Sequence, residues 1–251
     1  MANNYIRDTL KDVLRHTHGL GIYEMVKLTG TMSETEIETV DADKTVILKG
    51  TTNNPVADFA DSTVGLSRMA VLKGYLQYPG FDKEGSTVSV VTQERNGEQV
   101  PTEVEFVSDE GTDAHYRFML ADVINQQLKD IKFKGANFDV TINPTKKMMQ
   151  DLSYFNGVLA AYEANFMPKT EGGALYFYVG DAGSDRTKIL VNNNVEGDIT
   201  TDWNWPLDVV LKILRLADNS EVDMSFNNQG LLQITVSSGL GVYTYLLPAR
   251  S

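Results

Sequence analysis

Residues Gly230–Ser251, GLLQITVSSGLGVYTYLLPARS, carry the clearest pattern in the chain. Leu232, Ile234 and Val236 alternate with Gln233 and Thr235, the two-residue period of a half-buried strand. Ser237, Ser238, Gly239 and Gly241 supply a turn, and Val242 to Leu247 return as a second strand. Pro248 has no N–H to give to a ladder and ends it. A terminus this apolar is expected to dock on the fold, because loose tails are usually polar.

The same pattern recurs mid-chain. Tyr116-Arg117-Phe118-Met119-Leu120 echoes Tyr243-Thr244-Tyr245-Leu246-Leu247, and Val71-Leu72-Lys73 echoes Val210-Leu211-Lys212. The two echoes occur in consistent order along both halves, the signature of an internal duplication. Each half reads as helix, strands, helix, strands. In the first, YIRDTLKDVLRHTH (5–18) places Ile6, Leu10, Val13 and Leu14 on one helical face. Short strands follow from Ile22 to about Asp61, then a helix over Leu66–Tyr78 closed by Pro79 and Gly80. Two long strands meet across Asn96-Gly97, a strong hairpin signal, and AHYRFMLAD adds a third. Residues 122–137 alternate in charge and read as a partly extended connection. In the second half Asn143 and Pro144 open a helix running to Tyr162, and PLDVVLKILRLA (206–217) forms the last one. The expected organisation is an N-terminal domain over 1–122, a connector over 123–137 and a C-terminal domain over 138–251.

Composition limits the function. With 251 residues, 42% of them hydrophobic, the chain holds real cores and is not a disordered protein. No cysteine is present, so disulfides and thiolate metal sites are excluded. No stretch approaches the roughly 20 apolar residues of a membrane span, and MANNYIRDTLKDVLR carries no signal-peptide core. The formal charge of −12 argues against a protein that wraps nucleic acid with its outer surface. Where the 22 Lys and Arg sit therefore matters more than their number.

At this point the chain resembles a DNA sliding clamp, the ring-shaped processivity factor of replicative DNA polymerases. The ending Tyr243-Thr244-Tyr245-Leu246-Leu247-Pro248 is similar to the closing strand and short apolar tail of that family. Two domains in this length look like the trimeric type, and the run LRHTHGLGIYEMVKLTGTMSETEIETVDADK (14–44) looks most like the clamps of T4-like phages. The chain departs from the family in opening on a helix at Tyr5 rather than on a strand. The resemblance implies an α+β fold of two repeated domains, each with two helices packed on antiparallel sheets, assembling into a closed ring. It implies partners as well: duplex DNA without sequence preference, a DNA polymerase, a clamp loader and two further copies of the chain. It implies no enzyme activity, no cofactor and no membrane, and the cytoplasm of a bacterial host if the protein is phage-encoded.

That resemblance makes a chemical demand, since helices facing DNA should carry Lys or Arg opposite their apolar stripes. The first has Arg7, Lys11 and Arg15, the second Arg68 and Lys73, the third Lys146 and Lys147, and the fourth Lys212 and Arg215. Contacts from such residues to phosphates are sequence-independent and screened by salt, which permits sliding. Reversing Lys11, Lys146 and Lys212 is expected to abolish polymerase stimulation. For partner peptides the resemblance points to Leu246, Leu247 and Pro248 with Leu128 and Ile131 of the connector.

No nucleotide-binding P-loop, GxSxG or HExxH motif occurs, and His16, His18 and His115 have no metal-ligand spacing with carboxylates. Asp181, Asp185 and Arg186 read as a turn, and Trp203 and Trp205 as core packing before the last helix rather than a sugar-stacking pair. A β-rich phage structural or adaptor protein without DNA binding is the alternative, with an unrecognised hydrolase or sugar-binding protein behind it.

Overall fold

A computed structural model describes residues 5–95, 97–129, 135–159, 165–180, 183, 185–217 and 221–249. The chain forms two compact units, Met1–Lys132 with Gly239–Tyr243 and Phe133–Ser238 with Thr244–Ser251.

The first unit starts with helix α1 (Tyr5–His16), whose buried face carries Ile6, Leu10, Val13 and Leu14. Strands β1 (Val26–Gly30), β2 (Thr35–Val40), β3 (Ile47–Thr52) and β4 (Thr63–Leu66) follow and form an antiparallel sheet in the order β4-β1-β2-β3. Helix α2 (Met69–Gln77) buries Met69, Leu72 and Leu76 and packs beside α1. Strands β5 (Thr87–Arg95), β6 (Glu98–Val107) and β7 (Asp113–Arg117) make a second, three-stranded sheet.

The second unit repeats this plan. Strand β8 (Val140–Ile142) precedes helix α4 (Lys146–Val158). Strands β9 (Asn165–Glu171), β10 (Ala174–Gly180), β11 (Arg186–Asn192) and β12 (Trp205–Pro206) then form a sheet in the order β12-β9-β10-β11. Helix α5 (Leu207–Leu214) packs beside α4. Strands β13 (Val222–Phe226), β14 (Leu231–Ser237) and β15 (Gly241–Pro248) follow in sequence, with β8 added on β13. The order β12-β9-β10-β11 reproduces β4-β1-β2-β3 strand for strand, and β13-β14-β15 reproduces β5-β6-β7. A counterpart of β8 in the first unit would precede Tyr5, outside the described residues.

The sequence echoes lie at equivalent places in this plan. Tyr116 of β7 and Tyr243 of β15 are both buried, and so are Leu72 of α2 and Leu211 of α5. Alternation in the closing hairpin also holds, with Leu232, Ile234 and Val236 fully buried. No helix among the described residues is long and apolar enough to cross a membrane.

Three local expectations change. The connection over 122–137, expected to be partly extended, begins instead with a further helix, α3 (Ala121–Gln127), whose one buried side chain is Ile124. The helix of the second half is capped not by Asn143 but by Thr145, whose hydroxyl accepts from Met148 N at 3.1 Å. Pro144 holds Asn143 in extended backbone, and the Asn143 amide donates instead to Asp223 Oδ1 at 2.6 Å. The helix expected from Leu66 begins only at Met69, because Arg68 adopts the left-handed conformation (φ 50°) and separates it from β4.

Part of the chain's end belongs to the first unit. Gly241–Tyr243 of β15 lie beside β3, and Asn53 N donates to Leu240 O at 2.8 Å. Gly50 permits the approach, since a Cβ there would meet the Tyr243 ring at 3.1 Å. Tyr243 stacks on His16 of α1, centroids 3.9 Å apart and planes 7° from parallel, and its hydroxyl donates to Asp12 Oδ2 at 2.7 Å. His16 is fully buried; burial, reinforced by the nearby Arg15 charge, lowers its imidazole to about 3.

The unfolded chain, with an ordinary histidine near 6.5, takes up this proton first as pH falls. Stability from His16 is therefore complete above about pH 6.5 and is lost progressively toward pH 3, by at most about 1.4 kcal/mol per pH unit. Urea denaturation at pH 7 and pH 5 should show this loss, and His16→Phe, which keeps the stack, should reduce it. Equal pH slopes for the two proteins would remove His16 from the account.

Candidate nucleic-acid interface

Each unit exposes the outer face of a helix pair, α1 with α2 and α4 with α5. In the first unit, Arg7, Lys11 and Arg15 recur every four residues along α1, flanking its apolar stripe. Asp82 engages two of them. Arg7 forms an ion pair with it and its side chain is only 14% exposed, while Lys11 Nζ lies 3.4 Å from the same carboxylate. Burial and the neighbouring Arg7 lower the Lys11 ammonium from its ordinary value. Arg15 at the helix end is exposed, and so is Lys73 on α2. Arg68 sits before α2 and turns toward the three-stranded sheet, with Nη2 3.4 Å from the Arg117 carbonyl and Cζ 6.0 Å from the Tyr116 ring centre.

In the second unit a hydrogen bond links the two helices that carry the cations. Lys146 and Ser153 lie on α4 opposite buried Met148 and Leu152. Asp208 and Lys212 of α5, with Arg215 just past its end, form one stripe flanking Leu207, Val210, Leu211 and Leu214. Arg215 Nη2 donates to Ser153 Oγ at 3.2 Å and so joins the two exposed faces. Lys147, 80% exposed, pairs with Asp151 four residues on, and Lys212 lies 3.8 Å from Asp208. Such exposed pairs contribute little and are exchanged readily for other anions. The helix faces thus carry cations that can reach a phosphate, with Arg7 the most firmly committed within the chain.

The residues assigned to partner binding separate. Leu128, Leu246 and Leu247 are buried, and the Leu247 carbonyl accepts from Trp205 Nε1 at 2.8 Å. Pro248 is exposed, and Ile131 lies outside the described residues. Trp205 is fully buried, while Trp203 is half-buried with Nε1 3.0 Å from the Asn228 carbonyl, so the two indoles form no shared stacking platform. Among the described residues no group of three His, Asp or Glu is arranged to hold a metal ion.

Comparison with solved structures places this architecture. PCNA from Thermococcus kodakaraensis superposes over 96% of each chain with a TM-score of 0.66 at 15% identity. A. fulgidus PCNA, solved with the C-terminal region of FEN-1 bound, superposes over 98% of this chain and 96% of that one with a TM-score of 0.71 at 8% identity. This is the PCNA fold. A PCNA2–PCNA3 complex from Sulfolobus tokodaii agrees over 98% of this chain and 95% of that one, at a TM-score of 0.60 and 16% identity. No protein-family model and no curated protein sequence matches the chain. The PCNA fold is therefore legible in the tertiary structure at only 8% to 16% identity.

What the sequence did not reveal is how unequally the nine cations are placed. The clue was Asp82, an acidic residue just beyond α2, but only the tertiary structure sets it against α1.

Proposed function

We propose that this chain is a non-catalytic sliding clamp that encircles duplex DNA and tethers a DNA polymerase, of the two-domain trimeric type and most like the clamps of T4-like phages. The observation that carries the proposal is the duplicated PCNA fold, with exposed Lys and Arg on the outer face of each helix pair. Residues 1–122 and 138–251 act as the two clamp domains, joined through 123–137. Arg15, Lys73, Lys146, Lys147, Lys212 and Arg215 are the main phosphate contacts; Lys11 and Arg68 assist, and Arg7 contributes least. Three chains of −12 carry −36 in all, which repels phosphate everywhere except along these faces. A clamp loader would open the ring, and the protein would work in the cytoplasm of a bacterial host.

Ring closure follows from the duplication. In the first unit β3 receives the start of β15. By the repeat, β11 corresponds to β3 and β7 to β15, and each is a terminal strand of its sheet among the described residues. Pairing β7 of one copy with β11 of the next gives a head-to-tail contact that closes a ring when its rotation closes. Exposed apolar residues sit where this contact would cover them: Leu190 on β11, with Val158 and Tyr154 on α4, the helix that packs on β11. A. fulgidus PCNA was solved with the C-terminal region of FEN-1 bound, and for this chain a partner peptide is likewise proposed, with Leu128, Ile131, Leu246, Leu247 and Pro248 as its candidate contacts.

Mass in solution tests the proposal. Three chains of 27.8 kDa should sediment together at about 83 kDa. Leu190→Asp with Val158→Asp should return the protein to one chain and remove its retention on circular duplex DNA. A wild-type monomer at micromolar concentration would overturn the ring.

A further inference from the structure

Strand β5 shifts register against β6 between Val91 and Thr92, where Pro101 stands opposite Thr92. A bulge with a proline in it opens the ladder and re-aims the side chains around it. Beside this bulge lies a depression of about 280 Å³, walled on its far side by Phe118–Ala121. That wall is fixed, because Gly65 N donates to Met119 O at 3.0 Å and Met119 N to Gly65 O at 2.7 Å. Gly65 is pressed so closely that a Cβ would lie 2.9 Å from both Met119 and Ile124.

Arg95 and Arg117 both line the depression in this strongly acidic protein. Glu103, the carboxylate within it, is already engaged by His115 Nδ1 at 3.2 Å and by Arg117 Nε at 3.5 Å. Arg95 has no ion pair among the described residues, and the Arg117 side chain is 81% exposed. Apolar surface continues outward from the site at Leu120 and Val123, 51% and 42% exposed.

We propose that this depression binds an extended peptide segment of a partner protein that carries one carboxylate followed by an apolar side chain. The carboxylate lies between Arg95 and Arg117, and the apolar group lies on Pro101, Met119 and Leu120. A small anion would leave Leu120 and Val123 uncovered. A polyanion such as nucleic acid would meet Glu98, which stands opposite Arg95, its neighbour Glu94, and Glu105 and Asp113 further along β6 and β7. The site does not depend on DNA binding or on the surface beside Pro248.

The probe is a fluorescein-labelled acetyl-Glu-Ala-Leu-Ala-Leu amide, titrated by fluorescence polarisation into the full chain, with the Lys-for-Glu peptide as control. Saturable binding is expected, weakened about tenfold or more by Arg95→Glu and by Leu120→Asp. Neither variant should unfold the protein. Arg95 is an exposed strand end, and Leu120 occupies the N-cap of α3, where aspartate is favoured. Equal binding of the lysine peptide, unchanged affinity in both variants, or no saturation at about 1 mM peptide would overturn the proposal. So would a concentration-dependent mass that Leu120→Asp abolishes without peptide, since a second copy would then be the occupant.

Discussion

Replacing Trp205 by alanine is expected to destabilise the protein by about 3–5 kcal/mol, the largest single-residue loss predicted here. The indole is fully buried and lies 5.8 Å from the Phe226 ring and 6.2 Å from Phe166, with Phe177 completing the cluster. Its N–H is also the donor to the Leu247 carbonyl on the closing strand. Alanine would leave both a cavity and a buried acceptor without its donor, and the second effect adds about 1–3 kcal/mol to the range of cost. Trp205→Phe separates the two, keeping most of the packing and losing the hydrogen bond, and should cost clearly less. Denaturant titration of the three proteins measures this, and a loss below about 1 kcal/mol for alanine would mean that β12 is not held through its tryptophan.

Reversing Lys73, Lys146 and Lys212 to glutamate is expected to remove most of the affinity for duplex DNA while leaving the assembled mass unchanged. Each phosphate contact neutralised by a cation contributes about 0.9 to the slope of log affinity against log salt. The variant should therefore bind weakly at low salt and lose much of its salt dependence, as read by fluorescence anisotropy on a linear duplex. Arg7→Gln is the contrasting variant. Its guanidinium is committed to Asp82, so the expected effect is on stability, with little change in DNA affinity. Affinity and slope unchanged in the triple variant would remove these helix faces from the DNA-binding surface. For the same reason Lys73 is a better choice than Lys11, which shares Asp82 with Arg7.

Much of the fold was legible because its signals are local. The apolar stripe of α1, the alternation in Leu231–Ser237 and the helix of Leu207–Leu214 each follow from short-range periodicity that tertiary packing reinforces. Helix α3 was not legible, since Asp122, Asn125, Gln126 and Gln127 surround one buried residue, Ile124. A single anchor gives no period. The cap of α4 was misplaced by two residues because Asn143, Pro144 and Thr145 are all plausible beginnings. The choice is made by the strand bond of Asn143 to Asp223. The candidate site was legible as a list of cations. Which of them remain available was not, because Asp82, Asp151 and Asp208 reach them at distances that spacing alone determines only within one helix.

Residue type and spacing alone account for the duplicated order of helices and strands, the buried faces and the concentration of positive charge on helices in an acidic chain. These are consequences of residue type and period, which act over a few positions. Tertiary structure alone decided where the closing stretch ends up. In Gly230–Ser251, Gly241–Tyr243 leave the second unit, lie beside β3 and seal His16 under Tyr243, while Leu246 and Leu247 turn into the core and leave Pro248 at the surface. Period-two alternation fixes which residues of a strand share a face. It does not fix which neighbour that face meets, because strand partners are chosen by packing between residues more than a hundred positions apart.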